Sequence, residues 1–302
     1  MLKRPEFAQD TTPRNNQSNL FEQKIIPMSD ETFRLLRDLI RNYCGIYFDD
    51  SSKYLLERRL SRRLNLLNLN DFKDYYRFLL YDSKREEELS TIMDILTVNE
   101  TYFFREPNLL KAFSEEILPE LWQKNQSTKR LRIWSGGCST GEEPYTIAML
   151  ILEDGRFFGW DIQITGSDIS QRVLQVARKG IYGKNSFRQT DPYYLKKYFI
   201  EDAEGLWRIK DTVKQLVNFS YLNLLDPFRT KLIETMDVIF CRNVLIYFDI
   251  ESRKKVIDMF YNKLCNGGYL LLGHAESLLN IITSFTLRHL KNDVVYQKII
   301  PE

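Results

Sequence analysis

The spacing of apolar residues divides the chain into two regions with different periodicities. Over about residues 29–98, apolar side chains recur every three or four positions, as in amphipathic helices. Ser29 is placed to cap the first helix and Gly45 to end it. Further helices are predicted at about residues 52–67, 71–81 and 86–98. The first region therefore predicts a small all-helical domain.

Beyond about residue 128, short apolar runs alternate with helical patterns. Strands are predicted at residues 131–135, 162–166, 236–241 and 268–273, and helices at residues 142–152, 170–179 and 251–264. Gly267 and Gly268 are expected to form the turn before the last of these strands. Residues 285–290 and 294–299 predict two more strands around Asn292 and Asp293. This alternation is typical of an α/β fold with a mainly parallel sheet.

Between residues 180 and 217 the alternation lapses into a charged, Tyr-rich stretch. We interpret this stretch as an insertion of short strands and a helix.

Composition excludes several classes of protein. The 302 residues are 43% hydrophobic and 28% charged, as in ordinary globular proteins, and the net charge of +2 identifies no partner. No apolar run approaches the roughly 20 residues that cross a bilayer. Residues 1–27 lack the pattern of a secretory signal, so we expect a flexible tail and a cytoplasmic protein without direct membrane insertion. Four scattered cysteines and two histidines argue against disulfides and against a metal site.

A glycine-rich turn is the strongest single motif. The strand at residues 131–135 runs into Gly136-Gly137-Cys138-Ser139-Thr140-Gly141 and then a helix. Residues without a Cβ let backbone approach a ligand closely, and open α/β sheets bind ligands at this end of their strands. The spacing departs from the Gly-x-Gly-x-x-Gly pattern of dinucleotide sites. Glu142 and Glu143 open the helix where a phosphate would otherwise bind, so a phosphate-free, cationic ligand such as S-adenosylmethionine fits better.

Asp168 follows the second predicted strand, where an acid can accept hydrogen bonds from both ribose hydroxyls of an adenosyl ligand. An alternative is that Asp168 caps the next helix, although Ser167 or Ser170 can fill that role. The glycine turn alone fits either a ligand site or a plain tight turn. Together with Asp168, it favours the ligand site.

Three segments give the chain a specific resemblance to the CheR-type chemotaxis receptor methyltransferases. They are residues 99–105 (NETYFFR), residues 135–145 (SGGCSTGEEPY) and residues 240–248 (FCRNVLIYF). The resemblance implies a helical N-terminal receptor-docking domain over residues 28–98 and a linker and helix over residues 99–130. It also implies a Rossmann-like class I methyltransferase domain over residues 131–302, with a small β-subdomain insertion at residues 180–217.

The resemblance also implies a set of site residues. The expected cofactor contacts are Asn99, Thr101, Arg105, Gly136, Glu143, Asp168, Asn223, Leu224, Cys241 and Arg242. Arg105 and Tyr247 match the pair expected nearest the transferred methyl group. Cys241 is expected to be a small buried residue and not a nucleophile, because little nearby lowers the pKa of its thiol.

The implied reaction transfers a methyl group from S-adenosylmethionine to receptor glutamates, leaving S-adenosyl-L-homocysteine. An exposed glutamate has a pKa of about 4.3 and is already ionised at neutral pH, so no general base is required. Alignment and exclusion of water then supply the catalysis.

A group of basic residues indicates where the receptor docks. The predicted second helix carries arginines opposite its leucines, namely Arg58, Arg59, Arg62 and Arg63. A solvated helix face is the alternative, but the resemblance favours docking to acidic receptor helices. Aromatic residues do not interleave with these arginines, which argues against nucleic acid.

The insertion bears on one further partner. In some family members this subdomain carries a glycine-rich loop that docks a pentapeptide at the receptor C-terminus. Residues 199–207 are acidic with one glycine, so we expect no dependence on that pentapeptide.

Two other functions stay open from the sequence. A methyltransferase of RNA or of a small molecule would keep the glycine turn and Asp168 but needs no arginine-bearing helical domain. A non-catalytic receptor-binding adaptor would keep the fold, but the presence of Arg105, Tyr247 and Glu143 counts against lost activity.

Overall fold

The structure is a computed structural model that describes residues 25–279, 281 and 283–300. Most of the tail expected at residues 1–27 lies outside this part. The chain folds into two compact units. The first runs up to Leu96 and also includes Ile246–Asp249, and the second comprises Thr97–Leu245 with the chain from Ile250 onward.

The first unit is helical, as predicted. Its helices are α1 (Asp30–Cys44), α2 (Lys53–Leu66), α3 (Phe72–Tyr81) and α4 (Arg85–Leu96). The Ser29 hydroxyl accepts the Thr32 N–H, and Gly45 ends α1 in the left-handed conformation, with φ of 82°. Both predicted caps are confirmed.

A buried ion pair connects three of these helices. The Glu88 side chain on α4 is 4% exposed and accepts hydrogen bonds from Arg63 on α2 and from the Tyr75 hydroxyl on α3, at 2.5 and 2.6 Å. A buried charge is costly unless it is paired and hydrogen-bonded. This contact therefore fixes how α2, α3 and α4 pack.

The distant segment Ile246–Asp249 completes the first unit. The Tyr47 N–H donates to the Tyr247 carbonyl at 2.9 Å, and Ile46 forms an isolated antiparallel bridge with Phe248. Arg41 lies 3.7 Å from Asp249. Four residues remote in sequence thus extend the backbone pairing of the turn after α1.

The second unit is built on β-strands and helices that alternate along the chain. Its strands are β1 (Arg130–Gly136), β2 (Asp161–Asp168), β3 (Ile181–Tyr182), β4 (Phe199–Glu201), β5 (Trp207–Ile209), β6 (Val217–Tyr221), β7 (Met236–Cys241), β8 (Leu264–Leu272), β9 (Thr286–His289) and β10 (Val294–Gln297). Seven of them form one sheet in the order β6-β2-β1-β7-β8-β10-β9. The first five in this order run parallel, and the last two add an antiparallel edge. The predicted α/β class is confirmed.

Two helices precede β1, and the others connect the strands. They are α5 (Pro107–Ala112), α6 (Leu118–Lys124), α7 (Glu142–Asp154), α8 (Gln171–Lys179), α9 (Pro192–Tyr198), α10 (Asp211–Lys214), α11 (Pro227–Lys231) and α12 (Ile250–Lys263). A π-helical turn, Phe113–Ile117, joins α5 to α6. Among the described residues, no helix is both long and apolar enough to cross a membrane.

The insertion forms a separate three-stranded antiparallel sheet in the order β3-β5-β4, with α9 beside it. Phe103 stacks on Phe187 at 5.1 Å between ring centroids and meets Phe199 edge-on at 5.1 Å. These buried rings attach the small sheet to the segment after Thr97. The predicted insertion of short strands and a helix is confirmed.

Two features of the large sheet differ from the prediction. Gly267 and Gly268 lie inside β8 and not in a turn before it. On β7 and β8, Met236 pairs with Leu264 and Val238 pairs with Tyr269, so residues 265–268 of β8 form a bulge in the pairing with β7. Gly267, within this bulge, has a φ of +75°. The other difference is β6, a parallel edge strand that the sequence analysis did not assign.

Candidate active site

The order of the strands locates a crevice in the second unit. β1 lies between β2 and β7, and the direction in which strands are added to the sheet reverses there. Ligands of open α/β sheets bind at the carboxyl ends of strands beside such a switch point. The glycine turn follows β1, Asp168 ends β2 and Cys241 ends β7. The structure thus brings these three predicted parts to one edge of the sheet.

The conformation of the glycine turn requires glycine at two positions. Gly137 and Gly141 have φ of +77° and +94°, which favour glycine. A Cβ on Gly137 would lie 2.3 Å from Val244 Cγ2, and one on Gly141 would lie 2.9 Å from Ala177 Cβ. Packing within the protein therefore explains both glycines. A Cβ on Gly136 would meet its neighbours at an ordinary 3.7 Å, so packing does not require glycine there.

The Asp168 carboxylate is held against the glycine turn. It is 7% exposed and accepts the N–H groups of Ser139 and Ser170, each at 2.9 Å. Ser170 is the N-cap of α8 and accepts the Val173 N–H, so the capping role falls to this serine. Asp168 itself lies at the carboxyl end of β2, against the glycine turn, where an acid was predicted.

The residues after β6 lie next to Asp168. The Leu222 N–H donates to the Asp168 carbonyl at 3.0 Å. The Asn223 side-chain oxygen accepts the Leu225 N–H at 3.0 Å, which shapes a turn. A Leu224 methyl would lie 3.7 Å from a Cβ on Gly136. The predicted contacts Asn223 and Leu224 therefore lie at the same edge of the sheet as the glycine turn.

Arg242 connects three parts of the site. Its side chain is 3% exposed and lies 3.0 Å from a Glu143 oxygen and 3.1 Å from a Glu106 oxygen, and it donates to the Arg105 carbonyl. Glu143 also accepts the Ser135 hydroxyl at 2.7 Å. The guanidinium thus holds the start of α7 and the residues before α5 to the end of β7. Ligand contacts by Glu143, Cys241 and Arg242 stay predictions.

The segment before α5 also reaches the glycine turn. The Ser139 hydroxyl donates to the Asn99 carbonyl at 3.0 Å. Arg105 donates to the Glu100 carbonyl at 3.0 Å, and its guanidinium carbon lies 5.7 Å from the centre of the Tyr102 ring. Thr101, between them, is half-buried. The Asn99 carbonyl thus contacts the glycine turn, and cofactor contacts by Asn99, Thr101 and Arg105 stay predictions.

Sequence reasoning missed Glu276, which follows β8. Its carboxylate accepts the N–H groups of Gly273, Asn243, Val244 and Leu245, at 2.7–3.0 Å. The available signal was an acid a few residues after β8, at the same edge of the sheet as Asp168. Residues 243–245 lie far earlier in the chain, so the pattern of the sequence does not reveal the contact.

Glu142 connects two parts of the site in addition to beginning α7. It is 2% exposed and accepts the hydroxyls of Thr140 and Ser186, at 2.6 and 3.0 Å. Burial raises the pKa of this carboxyl above its ordinary value. Glu142 thus ties the glycine turn to the residues between β3 and β4.

Tyr247 belongs to the segment that completes the first unit, whereas Arg105 lies in the second. Their pairing near the transferred methyl group stays a prediction. Cys241 is fully buried, and burial raises the pKa of its thiol well above the ordinary value. This agrees with the expectation that Cys241 is not a nucleophile.

The four arginines of α2 do not share one exposed face. Arg58 and Arg62 are exposed. Arg59 donates to the carbonyls of Ile95 and Leu96, and Arg63 pairs with Glu88. The side chains of Arg59 and Arg63 are therefore held by α4, and receptor docking by these two arginines stays a prediction.

The site fits a ligand with cationic and amino groups. Glu142 and Glu143 occupy the start of α7, where a phosphate would otherwise bind; Glu143 is paired with Arg242, and Asp168 adds a third carboxylate. The Asn243 side-chain oxygen is buried without a hydrogen-bond partner among the described residues, and it is an acceptor suited to an amino group. S-adenosylmethionine has a sulfonium, amino groups and no phosphate. No group of His, Cys, Asp and Glu that would hold a metal occurs in the described part of the chain.

Comparison with known proteins gives consistent matches along nearly the whole chain. Residues 31–97 match the all-alpha domain of the CheR methyltransferases, and residues 99–294 match the SAM-binding domain of that family. The chain is 38% identical to chemotaxis protein methyltransferase 2 of Vibrio cholerae, over 90% of this chain and 94% of that protein. It is 37% identical to the chemotaxis protein methyltransferase of Borreliella burgdorferi, over 87% and 94%. The Vibrio parahaemolyticus protein of that name is 36% identical, over 90% and 98%.

Proposed function

Because the chain belongs to the CheR methyltransferase family and is thus an S-adenosylmethionine-dependent chemotaxis methyltransferase, we propose that it methylates glutamate side chains of chemotaxis receptors. The products are glutamate methyl esters and S-adenosyl-L-homocysteine. The observation that carries the proposal is the carboxylate-lined switch point, where Asp168 accepts the N–H groups of Ser139 and Ser170.

The chemistry requires no proton transfer from the enzyme. When bound, S-adenosylmethionine supplies a methyl group on a positively charged sulfur. An ionised carboxylate oxygen of the receptor forms the new bond to carbon as the carbon–sulfur bond breaks, and the electron pair stays on sulfur. A glutamate with a pKa of about 4.3 is ionised at neutral pH. The residues of the chain therefore act by holding the two reactants in line and excluding water.

Arg105 is the residue that we propose to orient the acceptor carboxylate. Its guanidinium is half-buried and lies near the Tyr102 ring, and its carbonyl accepts a hydrogen bond from Arg242. An arginine offers two parallel N–H donors to a carboxylate. Tyr247 is proposed as its partner near the methyl group.

The test uses labelled S-adenosylmethionine with receptor-rich membranes. We expect the wild-type chain to place base-labile label on the receptor, because methyl esters hydrolyse in base. Arg105→Ala should lower transfer about 10- to 100-fold, because a hydrogen bond to a charged group contributes about 1.5–3 kcal/mol. It should keep the thermal midpoint of the wild type, because the side chain is partly exposed. Wild-type rates in this variant would refute the role of Arg105, and base-stable label would refute glutamate as acceptor.

The same proposal identifies a docking surface for the receptor. Acidic receptor helices are proposed to dock on the exposed arginines Arg58 and Arg62 of α2.

A pentapeptide at the receptor C-terminus is proposed not to be required. The β4–β5 turn is closed by Asp202, whose carboxylate accepts the Glu204 and Leu206 N–H groups, and the turn carries the single Gly205. Micromolar binding of that peptide in calorimetry would contradict this part.

We further propose that the protein works in the cytoplasm, without nucleic acid, metal or direct membrane insertion. The four cysteines are free thiols, and Cys44, Cys138 and Cys241 are buried, which suits a reducing compartment.

A further inference from the structure

We propose that Glu276 is a positioning residue for methyl transfer: its carboxylate holds the loop after β7 in the shape that the cofactor site requires. The inference rests on the proposed function only where methyl transfer to the receptor is measured. The binding measurement uses S-adenosyl-L-homocysteine and does not need a receptor.

The Glu276 carboxylate occupies an anion-binding site that backbone N–H groups of the same chain form. One oxygen accepts the N–H groups of Gly273 and Asn243, at 2.8 and 2.7 Å. The other accepts those of Val244 and Leu245, at 3.0 and 2.7 Å. Consecutive backbone N–H groups that point to one centre form a concave site for an anion. Asn243 reaches this shape with a positive φ of 59°, in the left-handed region that asparagine adopts more readily than most other non-glycine residues.

The left-handed backbone at Asn243 is held by its surroundings. Such backbone at a non-glycine residue persists when neighbouring contacts impose it. Hydrogen bonds to a carboxylate are stronger than those between neutral groups. The four bonds to Glu276 therefore hold the loop and connect it to the chain after β8.

The loop that Glu276 holds forms one wall of the site. Val244 lies so close to the glycine turn that a Cβ on Gly137 would be 2.3 Å from its Cγ2. Arg242, one residue before Asn243, makes the ion pairs to Glu143 and Glu106. A shift of residues 243–245 would therefore move both the packing on the glycine turn and the anchor of Arg242.

A carboxylate is required because all four partners are donors. A glutamine at this position offers one oxygen, and its NH₂ group would face two backbone N–H groups. Gly273 gives an independent way to disturb the contact. A Cβ there would lie 2.9 Å from the Glu276 Oε2 and 3.1 Å from the Asn243 nitrogen. Gly273→Ala therefore displaces the carboxylate without removing its charge.

The experiment compares Glu276→Gln and Gly273→Ala with the wild type and with Glu116→Gln. Glu116 is a matched control, because it also accepts backbone N–H groups, from Lys291 and Asn292, at the β9–β10 hairpin on the edge of the sheet. Titration calorimetry with S-adenosyl-L-homocysteine gives the Kd and the number of sites. Methylation of receptor membranes gives kcat and KM.

We expect both site variants to raise the Kd about 10-fold or more, the loss of one charged hydrogen bond, with one site per chain and a lower kcat. Glu116→Gln should keep the wild-type Kd. Loss of fold alone would lower the number of sites and leave the Kd of the remaining molecules unchanged, and that result overturns the inference. So does a wild-type Kd and kcat in Glu276→Gln or in Gly273→Ala. If the wild type failed to label the receptor, that result would count against the proposed function. The Kd values from calorimetry would then still test the role of Glu276.

Discussion

Asp168 shows how a single carboxylate serves both the fold and the site. Two backbone N–H groups, from the glycine turn and from the start of α8, converge on it. The chain thereby uses one buried charge to fix the distance between the ends of β1 and β2. A carboxylate accepts hydrogen bonds only, which suits the hydroxyl groups of a ligand.

Asp168→Asn is expected to weaken binding of S-adenosyl-L-homocysteine by about 10- to 100-fold, since a hydrogen bond to a charged group contributes about 1.5–3 kcal/mol. An asparagine keeps the shape but turns one acceptor into a donor that faces a backbone N–H. Calorimetry measures the change. Asp191→Asn, which alters the N-cap of α9, is the control and should bind as the wild type does. Equal affinities in the two variants would remove Asp168 from the site.

At this scale the sequence predicts residues whose neighbours are close in the chain. Asp168 was singled out because a strand end is a local feature, whereas Glu143 was implied as a cofactor contact by the resemblance. Glu276 was missed because its partners, residues 243–245, are brought to it only by the pairing of β7 with β8. Arg242 was expected to contact the ligand, and its ion pairs with Glu106 and Glu143 depend on the same tertiary packing.

Among the helices, α2 divides its arginines between two tasks. Arg63 pairs with the buried Glu88, and Arg59 donates to the end of α4, whereas Arg58 and Arg62 are exposed. A leucine stripe with arginines beside it does not reveal this division, because positions one residue before a buried leucine lie at the border of the buried face.

Charge reversal on α2 should separate docking from stability. Arg58→Glu with Arg62→Glu is expected to raise the KM for receptor about 10-fold and leave the thermal midpoint unchanged, because exposed charges contribute little to stability. Arg63→Glu should instead lower the free energy of unfolding by about 3–5 kcal/mol, because Glu88 loses its partner. Receptor methylation and denaturant unfolding give the two values. An unchanged KM in the exposed pair would end the docking proposal.

The junction between α7 and α9 predicts a pH dependence of stability. Burial acts to raise the pKa of Glu153, but hydrogen bonds from Lys197, Tyr198 and Tyr193 outweigh it and hold that pKa below its ordinary value of 4.5. A depressed carboxyl pKa stabilises the fold above about pH 4.5 and loses this contribution as the pH falls through the folded pKa. Glu153→Gln should therefore flatten the decline of unfolding free energy below pH 4.5, by about 1 kcal/mol. Parallel wild-type and variant curves would contradict the role of Glu153.

Helices and strands with local signals were predicted within a few residues. α1 has a serine cap and a terminal glycine, and Met236–Cys241 is a continuous buried strand. β6 was missed because its residues, Val-Asn-Phe-Ser-Tyr, are mixed in polarity at the edge of the sheet. The glycine pair in β8 suggested a turn, but the surrounding ladder makes it a bulge.

For the whole molecule, thermal stabilisation by different ligands tests which ligand the crevice binds. At 100 times its Kd, a ligand that binds only the folded chain stabilises it by about 2.7 kcal/mol. We expect S-adenosyl-L-homocysteine to raise the thermal midpoint by several degrees and NADH to leave it unchanged, because carboxylates occupy the start of α7. Differential scanning calorimetry measures both. A shift with the dinucleotide alone would contradict the assignment of the crevice.

The segment Ile246–Asp249 has a consequence for modular exchange between relatives. The first unit is discontinuous in sequence, because Ile46 and Tyr47 pair with residues that follow the active-site loop after β7. A chimera that swaps only the N-terminal helices would keep the backbone bridge, which does not depend on side chains, but it would change the partner of Asp249 wherever Arg41 is replaced. Exchange of the whole first unit between relatives therefore involves two separate stretches of sequence, the N-terminal helices and residues 246–249.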